Sequence, residues 1–238
     1  MRLLFALLLL IFAPVLATSQ QAQLTYALRY SAPGSGRVRV TITLPDAQAA
    51  PLILVMPRAI PMGYGEQQFD RYVDPVLAFS NSGEPVPVQR TDGPRWTIGK
   101  AGAGVRRIEY EVNLARMERE ILGASDSSRA RPAYVGLLGY SIFAFVDGFE
   151  DHPIRLQIDG PAGWPIFSTL APQLPAATGS TAAQAASFYV LADSQIAMGP
   201  KLQVQRLTGL FRCLSRSTPR AKWILSCMAD WRSRRWNR

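Results

Sequence analysis

The sequence predicts an all-β chain, an antiparallel β-sandwich of short strands, and three observations carry that expectation. Apolar residues alternate with polar ones over several segments, the period of a half-buried strand. Eighteen glycines and 18 prolines are spread along the chain, which favours many short elements between turns over long helices. No cysteine precedes Cys213, so the predicted core rests on apolar burial and not on disulfides.

The elements follow in order. Residues 1–17 read as a secretory signal peptide: Arg2 supplies a positive start, 3–15 is apolar apart from Pro14, and Val15 and Ala17 are small enough for cleavage. That apolar run is shorter than the roughly 20 residues that cross a bilayer. The expectation is an exported chain, periplasmic or secreted. Residues 18–205 are long enough for one good-sized domain. In it, 24–30 alternates with Leu24, Tyr26 and Leu28 on one side. Segment 37–44 alternates more cleanly, with Val38, Val40, Ile42 and Leu44 opposite Arg37, Arg39, Thr41 and Thr43. One-sided burial of this kind suits antiparallel sheets. Residues 52–56 form a short apolar run closed by Pro57. The glycines of 99–104 precede a strand and not a helix, so they read as a hairpin turn and not a phosphate loop. Segment 106–112 sets Ile108, Tyr110 and Val112 against Glu109 and Glu111. One or two helical turns are expected over 115–122. Further strands are expected at 142–146, 154–158, 187–191 and 202–204, and a surface loop over the Ala-, Ser- and Thr-rich 175–186. Trp96 and Trp164 each follow a turn and read as core plugs.

Candidate chemistry is sparse. His152 is the one histidine. It cannot form a His-Glu-x-x-His zinc motif, and its place before Pro153 reads as an ordinary loop position. Ser141 lies in no Gly-x-Ser-x-Gly elbow. Asp147, Glu150 and Asp151 cluster without the spacing of a calcium loop and read as a solvated turn. Glu109 and Glu111, two apart on a strand, read as an exposed face.

Charge divides the chain at Gln205. Residues 206–238 hold nine Lys or Arg and one acid, Asp230, which is +8 of the total +9. Residues 1–205 hold 17 basic and 16 acidic side chains. The basic character therefore belongs to a tail, and nucleic acid is excluded as an expected partner. Three readings of the tail stand side by side. It is an out-of-frame product rich in Arg, Ser, Trp and Cys. Or it is a basic amphipathic helix with Trp223, Ile224, Cys227, Met228 and Trp231 on one face, suited to an anionic membrane surface. Or Cys213 and Cys227 pair after export.

The order of segments resembles the N-terminal β-domain of the glycyl aminopeptidase family of secreted zinc metallopeptidases. The matching stretches are Tyr26-Ala-Leu-Arg29, the 37–44 strand, Met56-Pro57, Pro61-Met-Gly-Tyr64, Phe69-Asp-Arg-Tyr-Val73, Arg95-Trp96, Tyr110-Glu-Val112 and Pro161-Ala-Gly-Trp164. The most specific is Phe188-Tyr-Val-Leu-Ala-Asp-Ser194, followed by Ile196 and Gly199. Met62 and Gln195 depart from the family pattern. The resemblance implies a substrate-side β-domain that packs on a zinc catalytic domain. That catalytic domain and its ligands have no matching positions here, so no catalytic or metal residue is assigned and no cofactor is expected in this chain. Gly63, Tyr64, Asp193 and Ser194 are the expected cleft-facing or domain-interface residues. The expected chain is a truncated metallo-aminopeptidase-like protein, inactive alone, whose partner is a peptide substrate or a catalytic domain. The alternative is a standalone exported binding module held to a membrane or a partner by its tail.

Overall fold

The computed structural model describes residues 23–59, 65–121, 127–170 and 176–204. The signal peptide at 1–17, the tail at 206–238 with Cys213 and Cys227, and the pair Gly63 and Tyr64 lie outside the described residues.

The first strands are β1 (Leu24–Arg29), β2 (Arg37–Ala49), β3 (Leu52–Val55), β4 (Val73–Phe79), β5 (Pro85–Val86), β6 (Val88–Arg90), β7 (Arg95–Ile98) and β8 (Gly104–Asn113). A 3-10 turn (Phe69–Tyr72) precedes β4, and α1 (Leu114–Glu120) follows β8. Then come β9 (Arg129–Arg131), β10 (Tyr134–Leu138), α2 (Gly139–Ile142), β11 (Phe145–Val146), β12 (Ile154–Asp159) and β13 (Pro165–Ser168). The last elements are β14 (Ala177–Thr178), β15 (Ser180–Ala185), α3 (Phe188–Ala192) and β16 (Gln195–Met198). They build a seven-stranded sheet in the order β15-β12-β1-β2-β8-β4-β5, a five-stranded sheet β14-β13-β16-β10-β9 and a four-stranded sheet β11-β3-β7-β6.

The large sheet follows the period-two pattern closely. Leu28 stands opposite Val40, and Val40 opposite Tyr110, all on the buried face. Each such fully buried side chain contributes about 1.5–3 kcal/mol through removal of apolar surface from water. The outer face carries charge in matched pairs, such as Arg39 with Glu111 at 2.8 Å and Arg107 with Glu109 at 3.0 Å. Two tyrosine hydroxyls bind the opposite layer to this sheet. Tyr26 donates to the Ala144 carbonyl at 3.0 Å. Tyr110 donates to the Ile142 carbonyl at 3.0 Å and accepts from the Ala144 N–H at 2.7 Å. The 142–144 segment links α2 to β11, so these bonds fix the junction of the two smaller sheets onto the large one. Trp96 is buried, as expected, and Trp164 is half-buried beside the Tyr30 ring at 6.3 Å.

Several expectations need correction. Residues 187–191 are not a strand: Ser187 caps α3 by accepting from the Val190 N–H at 3.5 Å, and Phe188, Leu191 and Ala192 are buried at helical spacing. A five-residue apolar run carries no period that separates strand from helix. The supposed loop at 175–186 contains β14 and β15. Ala183 and Ala185 face inward against Leu156 and Ile154, and their small side chains hid the alternation. In 142–146 only Phe145–Val146 is strand, and 202–204 contains none. The 99–104 turn joins β7 to β8, which lie in different sheets, so it is no hairpin. Gly99 has φ +78°, and a Cβ there would lie 2.5 Å from the Ala50 Cβ, where β2 also leaves the large sheet. Among the described residues one pairing is parallel: β1 runs with β12 across a long intervening crossover. The helical turns expected at 115–122 are present as α1.

Candidate functional site

Gly63 and Tyr64, two of the four expected interface residues, lie outside the described residues, and the chain on either side of them forms a paired neck. Ala59 bridges Glu66 in antiparallel fashion, and the Gln67 N–H donates to the Arg58 carbonyl at 2.9 Å. Below the neck, Asp70 is 1% exposed in the 3-10 turn. Arg58 Nε and Nη2 donate to its two carboxylate oxygens at 2.9 and 3.2 Å, and Arg90 Nη2 donates at 2.5 Å. Arg90 also donates to the Gly93 carbonyl and lies 5.1 Å from the Trp96 ring centre. The carboxylate bonds push the Arg58 guanidinium further up from its ordinary value, so it stays charged. This clamp ties the exit of β3, the 3-10 turn and the β6–β7 hairpin. Phe69-Asp-Arg-Tyr-Val73 carries no local signal that pairs Asp70 with arginines 12 and 20 residues away.

Asp193 and Ser194 close α3. Asp193 is exposed and its N–H donates to the Tyr189 carbonyl at 3.0 Å. Ser194 is 3% exposed; its hydroxyl donates to the Leu191 carbonyl at 2.6 Å and its carbonyl accepts from the Gly139 N–H at 2.8 Å. A Cβ at Gly139 would lie 2.3 Å from the Leu191 carbonyl oxygen, so only glycine lets α2 approach α3 this closely. Beside Gly139, the Tyr140 ring lies 5.6 Å from Phe69. Packing therefore runs from the loop neck through Phe69 and α2 to Ser194.

The remaining chemical candidates are structural. His152 stacks on Phe149 at 4.8 Å, and its Nδ1 is buried without a hydrogen-bond partner. Ser141 is buried and bonded to Ser128 at 2.5 Å and to the Leu138 carbonyl at 2.9 Å. Asp147 pairs with Arg95 at 4.0 Å. Among the described residues no group of three His, Cys, Asp or Glu is placed to hold a metal ion. A zinc ion of the kind the resemblance implies thus has no fitting donor set in the described part of this chain.

The model of the Peptidase M61 N-terminal domain matches residues 25–200. This chain belongs to that family. The match agrees with the resemblance read from the motifs between Tyr26 and Gly199. Among solved structures, an aminopeptidase N family protein from Idiomarina loihiensis has a TM-score of 0.63 at 20% identity, covering 74% of this chain and 29% of that one. That likeness is one of fold. An M1 zinc metallopeptidase from Deinococcus radiodurans gives a TM-score of 0.38 at 11% identity, over 75% of this chain and 42% of that one. The M61-type chain thus spans less than half the length of either protein. Comparison with curated proteins finds no match.

Proposed function

We propose that this chain is the non-catalytic, substrate-side β-domain of a metallo-aminopeptidase-type protein, exported from the cytoplasm, and that it cleaves no peptide by itself. The observation that carries this reading is the N-terminal domain match over residues 25–200 in a sequence with a single histidine. The domain contributes shape and not chemistry. Gly63, Tyr64, Asp193 and Ser194 are the residues offered to a peptide or to a catalytic domain, and the Asp70 clamp holds the described chain on either side of 60–64 in place. Zinc belongs to that catalytic domain.

The test uses the purified chain. It binds no stoichiometric zinc by metal analysis after dialysis and releases no chromophore from aminoacyl-nitroanilides. Metal-dependent hydrolysis that copurifies with the chain and is abolished by chelator would overturn the reading. A second reading, a standalone exported binding module, is favoured by one observation: Tyr189 is 65% exposed and Val190 39% exposed on α3.

A further inference from the structure

Among the described residues the three sheets end in six edge strands, and five of them are blunt. β5, β11 and β14 are two residues long, and β5 starts on Pro85. β9 is Arg129-Ala-Arg131 and β6 ends on Arg90, so each is short and carries cations. Short length, proline and charge are devices that keep a strand edge from pairing with another chain. β15 has none of them. It is six residues, Ser-Thr-Ala-Ala-Gln-Ala over Ser180–Ala185, and its register with β12 runs unbroken along its whole length.

The main chain of β15 is open on its far side. The Gly160 N–H donates to the Gly179 carbonyl at 2.8 Å, and this pair continues the β12–β15 register. Main-chain bonding alternates along an antiparallel pair, so Thr181, Ala183 and Ala185 bond to β12. Ser180, Ala182 and Gln184 turn their N–H and carbonyl groups away from it. Those three residues are exposed, and β15 pairs with no other described strand. Donors and acceptors at every second residue fit an extended strand.

The charges flanking this edge select a second copy as the strand's source. On β12, Arg155 stands opposite Gln184 and Asp159 opposite Ser180, so one end of the edge is cationic and the other anionic. An antiparallel twofold sets Ser180 against the partner's Gln184 and Ala182 against the partner's Ala182. Every open N–H and carbonyl of Ser180, Ala182 and Gln184 then finds a partner, and the Arg155 end of each copy meets the Asp159 end of the other. Parallel pairing would set like ends together. We propose that two copies of this chain pair through β15 in this register and extend the seven-stranded sheet across the twofold axis. A single strand pair is a small interface, below about 1,200 Å², so the dimer is reversible and concentration-dependent. The pairing stands independently of the peptidase-domain reading.

The test is cross-linking that reads the register, in the full chain with Cys213→Ser and Cys227→Ser, where one introduced cysteine is the only thiol. In this register the two Ala182 Cα atoms lie about 5.5 Å apart, within reach of a disulfide. The two Gln184 positions are offset by four residues, about 13 Å along the strands. Ala182→Cys therefore forms a disulfide-linked dimer at least about tenfold faster than Gln184→Cys. Sedimentation velocity over a concentration series supplies a readout without new cysteines. Ala182→Lys sets two ammonium groups directly opposite each other and abolishes the dimer. Gln89→Lys, the same charge at an exposed position on β6, leaves it unchanged. A chain that stays monomeric at every concentration overturns the proposal. So do equal cross-linking rates at 182 and 184, and so does a dimer that survives Ala182→Lys, which places the contact elsewhere on the chain.

Discussion

The centre of the seven-stranded sheet and the α3 corner use the same side-chain types to opposite ends. Leu28 is fully buried, flanked by Val40 on β2 and Ile158 on β12, with paired strands on both sides. Val190 on α3 and Leu77 on β4 are also apolar, yet 39% and 46% exposed. The sheet centre is held by many neighbours at once. The α3 corner buries one side, Phe188, Leu191 and Ala192, and is fixed at its ends by the Ser187 cap, the Ser194 carbonyl on Gly139 and the Glu150 carbonyl on Phe188, while its other side stays in water. A helix buried on one side only can present apolar surface on the other without loss of the fold.

The largest effect expected breaks the sheet side of this contrast. Leu28→Ala leaves a cavity between two paired strands and lowers stability by about 2–5 kcal/mol. At this chain length, that is a fall in Tm of about 4–20 °C by calorimetry. A loss under 1 kcal/mol would mean that the strand ladder is not the stabilising unit.

An intermediate effect comes from the hydroxyls that join the layers. Tyr110→Phe strips the Ala144 N–H and the Ile142 carbonyl of a buried partner and costs about 1–3 kcal/mol in urea unfolding. The same site sets an alkaline limit. Burial pushes the hydroxyls of both Tyr26 and Tyr110 above their ordinary value; the proximity of Tyr110 and Glu150 adds to the shift at Tyr26, and the Ala144 bond offsets part of it at Tyr110. With the folded values raised, the native state keeps protons that the unfolded chain releases above about pH 10. Stability is therefore full below that pH and falls as pH rises beyond it. Tyr110→Phe removes one of the two groups and flattens the fall between pH 9.5 and 11. An identical slope in wild type and variant would remove the hydroxyl from this role.

These same two regions differ in how far the sequence reveals them. Val38, Val40, Ile42 and Leu44 alternate with Arg and Thr, and Ile108, Tyr110 and Val112 with charged residues, so burial follows directly from the period. In the α3 corner the physics is local or long-range. The Ser187 cap decides helix over strand within one turn, Ala183 and Ala185 are too small to register as an apolar stripe, and the parallel β1–β12 pair joins residues about 130 apart. The family resemblance reached Asp193 and Ser194 through motif order. It gave no means of separating an exposed Asp193 from a buried Ser194, because that depends on Gly139 from another strand–helix junction. The Asp70 clamp was hidden for the same reason: its arginines come from β6 and the exit of β3.

The smallest expected effect sharpens the contrast within a single strand. Leu77 pairs with Glu109 on the outer face of β4, while its neighbour Ala78 pairs with Ile108 on the buried face. Leu77→Thr introduces a β-branched side chain suited to the strand and removes apolar surface that is already 46% exposed. Its effect on urea unfolding is within about 0.5 kcal/mol. Ala78→Thr, one position along, places a hydroxyl where Ala78 is 2% exposed and costs more than about 1 kcal/mol. If the two substitutions proved equal, the outer face of β4 would be covered in solution, and Leu77 would join Tyr189 and Val190 as part of a contact surface.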